Sequence, residues 1–125
     1  MKKALLFLVV LLLAVCAVGC IRSTGHYVTT MCISNQTKNA FSMEYESLDG
    51  YKTYYFTVDE GTELSAEFVT DQGRLSCVIC DKKGNEYYRN EDVKTGKETV
   101  KLGEKGEYSV RIDAEKHGGA FYFSW

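Results

Sequence analysis

Proline is absent from the 125 residues, so glycine, asparagine and aspartate must mark the turns. A basic cluster is missing too. Lys82, Lys83, Lys94, Lys97, Lys101 and Lys105 are interspersed with acids, and the formal net charge is −2. That excludes nucleic acid as a partner, because phosphate backbones are read by basic stripes. From residue 20 onward no window repeats apolar residues at i, i+3 and i+4, so no amphipathic helix is expected there. Histidine is limited to His26 and His117, with no Ser-His-Asp spacing or nucleophile elbow beside them. Both are expected as solvent-exposed loop residues, and the chain is not expected to be an enzyme. Asp81 to Glu86 lacks the alternating Asp/Asn ligands of a calcium loop. No metal site and no cofactor is expected.

What is present first is the leader MKKALLFLVVLLLAVCAVGC, Met1 to Cys20. Two lysines, an unbroken apolar run and small residues before a cysteine are the order of a secretory signal. Ending on Ala17-Val18-Gly19-Cys20, it resembles a bacterial lipoprotein signal, which implies a diacylglycerol-modified, palmitate-type anchor on Cys20. Ala17 stands where that pattern usually has leucine. The competing frame at Cys16 places bulky Val15 where a small residue is needed. An uncleaved anchor helix over residues 4–21 and simple secretion are the alternatives. The expected organisation is a signal over residues 1–19, a lipidated cysteine and short tether over 20–25, and one domain over 26–125. Two acyl chains anchor stably, and five tether residues reach about 17 Å. The chain is therefore expected outside the cytoplasm, at the cell membrane.

Removing residues 1–19 takes away Lys2 and Lys3, leaving 13 basic against 17 acidic residues, near −4. The remaining cysteines are Cys20, Cys32, Cys77 and Cys80. With Cys20 lipidated, three thiols are left, too few for a disulfide framework. Cys77 and Cys80 sit in a β-branched run rather than at a helix start. Residues three apart in a strand face opposite ways, so the expectation is a buried Cys77 and a Cys80 on the other face, neither redox-active nor metal-binding.

Strand alternation fills the rest. Phe41, Met43 and Tyr45 alternate with Ser42, Glu44 and Glu46. The sets Tyr54/Phe56/Val58, Leu64/Ala66/Phe68, Leu75/Cys77/Ile79, Tyr108/Val110/Ile112 and Phe121/Phe123/Trp125 follow the same period of two. Turns are expected at Asp49-Gly50, Asp59-Glu60-Gly61, Asp71-Gln72-Gly73, Asp81 to Asn85, Gly103 to Gly106 and His117-Gly118-Gly119. Shorter strands are expected around 86–89 and 99–102, and a less regular one from Tyr27 to Ile33. Eight or nine short strands predict an all-β antiparallel sandwich. Trp125 predicts a closing strand that is paired and packed.

The motifs Tyr54-Tyr55-Phe56, Ile79-Cys80-Asp81 with Gly84, Gly106-Glu107-Tyr108-Ser109-Val110 and Gly119 to Trp125 resemble the β-sandwich modules of small Gram-positive lipoproteins. The layout is also similar to jelly-roll modules appended to secreted peptidases and glycan enzymes. The resemblance implies a jelly-roll-like fold and carries no chemistry. Tyr51, Tyr55 and Tyr122 lie on faces opposite the inward sets, as does Tyr87 or Tyr88. Such aromatics could stack on sugars or form a protein interface, although strands favour tyrosine in any case. The expectation is a membrane-anchored, non-catalytic binding or accessory module of the cell envelope, its ligand an envelope protein or a glycan. The alternatives are a carbohydrate-binding module using those tyrosines, and a small envelope hydrolase or immunity-type protein.

Overall fold

The computed structural model describes residues 21–125. Residues 1–19, expected as a signal, and Cys20 lie outside them. Seven strands form the fold: β1 (Arg22–Thr30), β2 (Ile33–Thr37), β3 (Ala40–Val58), β4 (Glu63–Asp81), β5 (Glu86–Asn90), β6 (Gly96–Lys101) and β7 (Gly106–Ser124). All pairings are antiparallel. No helix occurs among the described residues.

The fold is an antiparallel, jelly-roll-like β-sandwich made from one folded sheet. Three strands of 19 residues, β3, β4 and β7, run through both layers. Their pairing changes partner halfway. In layer A the order is β2, the start of β3, the end of β7, the start of β4, and β6. In layer B it is β1, the end of β3, the start of β7, the end of β4, and β5. Phe41 and Tyr54 show how sharp the fold is. Thirteen residues of straight strand would hold them about 40 Å apart, yet their rings stack at 3.8 Å.

The strand count falls short of eight or nine for the same reason. Asp49-Gly50, Asp71-Gln72-Gly73 and His117-Gly118-Gly119 do not end strands. They are bulges inside β3, β4 and β7, where the register shifts at Tyr45–Gly50 and Thr70–Arg74. A bulge bends a strand without breaking its ladder. Gly119 shows the close approach this demands: its φ is +146°, and a Cβ there would lie 1.9 Å from the Val69 carbonyl oxygen. Gly73 is similar, with φ +72° and the Lys116 oxygen 2.1 Å from a Cβ. The Asp49 carboxylate accepts the Lys116 backbone N–H at 3.2 Å across the bend.

The core lies between the layers, and every inward set read from the alternation is buried, Trp125 only partly. Trp125 stacks on Phe56 at 4.3 Å, and its N–H donates to the Asn39 carbonyl at 3.0 Å. The closing strand is thus paired and packed. Residues 22–25, expected as tether, form the first half of β1 opposite Lys52 to Tyr55. Ile21 is buried, and its carbonyl accepts from Gln36 Nε2 at 2.9 Å.

Candidate binding face

Side chains that point away from the core in layer B form a grid. One row runs Thr24, Thr53, Arg111, Val78, Arg89 across all five strands. The row on one side is Arg22, Tyr55, Ser109, Cys80; on the other it is His26, Tyr51, Asp113, Ser76. Arg74 follows beyond them, opposite Glu115. The chain has only four arginines, and all four stand on this face.

Each guanidinium is held. Arg111 lies 4.7 Å from the Tyr51 ring centre and donates to Asp113 at 2.9 and 3.2 Å. Those hydrogen bonds raise its pKa above the ordinary arginine value. Arg22 lies 4.8 Å from the Tyr55 ring centre and donates to Glu107 at 2.9 Å. Arg89 donates to both Glu86 oxygens, one at 2.9 Å from Nε, and these bonds hold the Glu86 carboxyl below the usual range. Arg74 differs: Nε donates to the Glu91 carbonyl at 2.9 Å, and no carboxylate pairs with it among the described residues. Exposed ion pairs add little stability. Their consequence here is a fixed array of donors and acceptors.

Two hollows indent the face. One of about 480 Å³ is lined by Tyr51, Arg74, Ser76, Glu91, Asp113 and Glu115, among others. The second, about 370 Å³, shares Ser76 and Asp113 and adds Tyr55, Arg89 and Arg111. They form one groove across layer B.

Of the three tyrosines expected as ligand contacts, Tyr51 and Tyr55 are brought together here, each with one guanidinium on its ring. Tyr122 stands on the outer face of layer A, between Ser42 and Glu67. Its hydroxyl donates to Glu44 at 2.5 Å, and that bond, with burial, pushes its pKa up to about 12. Tyr87 packs edge-on against Tyr108 at 5.3 Å, and Tyr88 is half-buried. Cys20 lies outside the described residues. Sequence reasoning missed the four arginines. The signal was available: Arg74 and Arg111 each neighbour inward residues (Leu75; Val110 and Ile112), so alternation turns them outward.

His117 overturns the expectation of a solvent-exposed loop histidine. It is fully buried at the bend of β7. Thr70 Oγ1 donates its single proton to the Val93 carbonyl at 2.9 Å. It must therefore accept at 2.9 Å from His117 Nε2–H. Nδ1 is left to accept from the Tyr45 hydroxyl at 2.6 Å. This neutral tautomer links all three long strands where they fold, and burial lowers the histidine pKa. His26 is exposed, but on β1 rather than in a loop.

Cys77 is buried, its thiol pushed up by burial, and Cys80 lies on the outward side. Cys32 is exposed, and all three are free. No group of three or more His, Cys, Asp or Glu among the described residues is placed to hold a metal ion.

No family model and no curated protein matches the chain. Solved structures share the chain trace distantly. A periplasmic inhibitor of g-type lysozyme from Aeromonas hydrophila matches with TM-score 0.48 and 9% identity, over 83% of this chain and 84% of its own. A carbohydrate-binding module of the Cellvibrio mixtus lichenase 5A, solved with cellotriose, matches with TM-score 0.41 and 14% identity, over 86% and 95%. The pre-peptidase C-terminal domain of a Bacillus anthracis collagenase gives 0.42 and 10%, over 86% and 88%. Such likeness transfers neither ligand nor role.

Proposed function

We propose that this chain is a non-catalytic binding module, anchored outside the cytoplasm by lipid on Cys20, that reads a neutral glycan in the layer B groove. The observation that carries the reading is the gathering of all four arginines with Tyr51 and Tyr55 on one indented face. Three arginines are matched by carboxylates, so the face does not select for charge. Paired guanidinium and carboxylate groups offer fixed donors and acceptors side by side, which suits vicinal hydroxyls. Tyrosine edges beside them add apolar contact, and binding sites combine the two in this way. Both ring nitrogens of His117 are used inside the fold, so that histidine is no base for a surface ligand. With β1 starting at Arg22, a lipid on Cys20 would hold the β1 side of this face beside the membrane.

The test is a glycan array probed with the full chain and with Arg111→Ala and Tyr122→Ala variants. Binding lost in Arg111→Ala and kept in Tyr122→Ala is expected. An array on which the folded wild type stays silent sinks the proposal.

A further inference from the structure

The two edges of the sandwich are built to opposite rules. On one side β5 and β6 carry Glu86, Arg89, Lys97, Glu98 and Lys101. Charges of this kind blunt an open edge against pairing with another chain. On the other side β1 and β2 hold one formal charge, Arg22, at the very start. Both are exposed but for the half-buried Thr29, and both pair only with β3. Of the five large apolar side chains exposed among the described residues, four belong to this edge or its corner: Tyr27, Val28, Met31 and Ile33. Val28 and Met31 are 74% and 78% exposed. A nine-residue strand with a free row of N–H and C=O groups, no proline and no inward charge is a template for one kind of partner, another β-strand.

We propose that β1 pairs antiparallel with β1 of a second copy about a two-fold axis through His26. The strand is self-complementary in that register. Gly25 falls opposite Tyr27 of the second copy, so an aromatic ring covers a residue with no side chain of its own. Thr24 falls opposite Val28, Ser23 opposite Thr29, and Arg22 opposite Thr30. No like charges meet, and each pair keeps to one face of the sheet, as antiparallel pairing requires. Layer B would continue across the axis into the layer B of the second copy. The outward residues Arg22, Thr24, His26 and Val28 would join the two grooves. The interface stands whether or not the groove takes a glycan.

The experiment is sedimentation of the full chain in detergent, with circular dichroism as the control for folding. A concentration-dependent dimer is expected. T24K/V28K sets lysine against lysine twice across the axis and should weaken association about tenfold. T24K/V28E sets lysine against glutamate at the same two places and should restore it. A wild type that stays monomeric overturns the proposal, whatever other strand the edge accepts. So does a folded T24K/V28K dimer of undiminished affinity, or a folded T24K/V28E variant that fails to recover.

Discussion

The two outer faces of this sandwich are made by the same three strands, yet they differ in kind. Layer A turns outward Ser42, Glu44, Glu67, Tyr122 and the lysines of β6, with a hollow of about 250 Å³ beside Tyr122. Its most engaged tyrosine is tied to one glutamate. Layer B turns outward every arginine, two tyrosines stacked on guanidinium groups, and a groove shared by two larger hollows. Inward, both layers contribute buried apolar and aromatic side chains to one core. The common core therefore sets stability for both faces, and the choice of outward side chains sets what each can bind.

That separation can be broken from the inside, where the effect is largest. Phe121 touches Tyr54 of the opposite layer at 6.0 Å and its own neighbour Phe123 at 6.0 Å. Phe121→Ala should cost about 3–5 kcal/mol and remove both faces together, seen as one lowered unfolding midpoint in denaturant. A variant that unfolds in two steps would show layers less dependent on each other than this geometry requires.

The bend comes next. His117→Ala leaves the buried Tyr45 hydroxyl without its partner, at about 1–3 kcal/mol for an orphaned group, while the half-buried Thr70 hydroxyl keeps its bond to Val93. Acid should act through the same residue. Burial lowers the pKa of His117 in the fold, so the unfolded chain binds its proton first, near pH 6.5. Stability should fall as pH drops below about 6.5, and flatten once the folded histidine also titrates. Melting curves across that range should show the slope in the wild type and lose it in His117→Ala.

The smallest expected effects sharpen the comparison most. Arg111→Ala and Tyr122→Phe each remove exposed polar contacts and should change stability by no more than about 1 kcal/mol. Only the first should change ligand binding. Equal binding losses from both would mean that the faces do not divide the work.

Much of the fold was legible because β-alternation is a local signal. Phe41/Met43/Tyr45 and Tyr108/Val110/Ile112 declare their buried side two residues at a time, and each is buried. The opposite fates of Cys77 and Cys80 follow from the same parity. The strand ends were less legible. Asp-Gly and His-Gly-Gly read alike as a hairpin turn and as a bulge, because both need the same unusual backbone angles. Only the neighbouring strand decides which forms. The candidate face was half legible: alternation turned Tyr51 and Tyr55 outward, while the arginines lie 22 to 111 residues along the chain and meet only across the sheet.

The sequence by itself determined that this domain is built of strands and which residues fill its core. These are matters of composition and period, written within a few residues of each other. Tertiary structure alone decided that three long strands fold over to make both layers and that His117 becomes their buried link. It also decided that Tyr122 parts from Tyr51 and Tyr55, while four scattered arginines share one face and three of them line its groove. Each of those outcomes depends on register between distant segments, and register is fixed only when the bulges and the packed core satisfy all the strands at once.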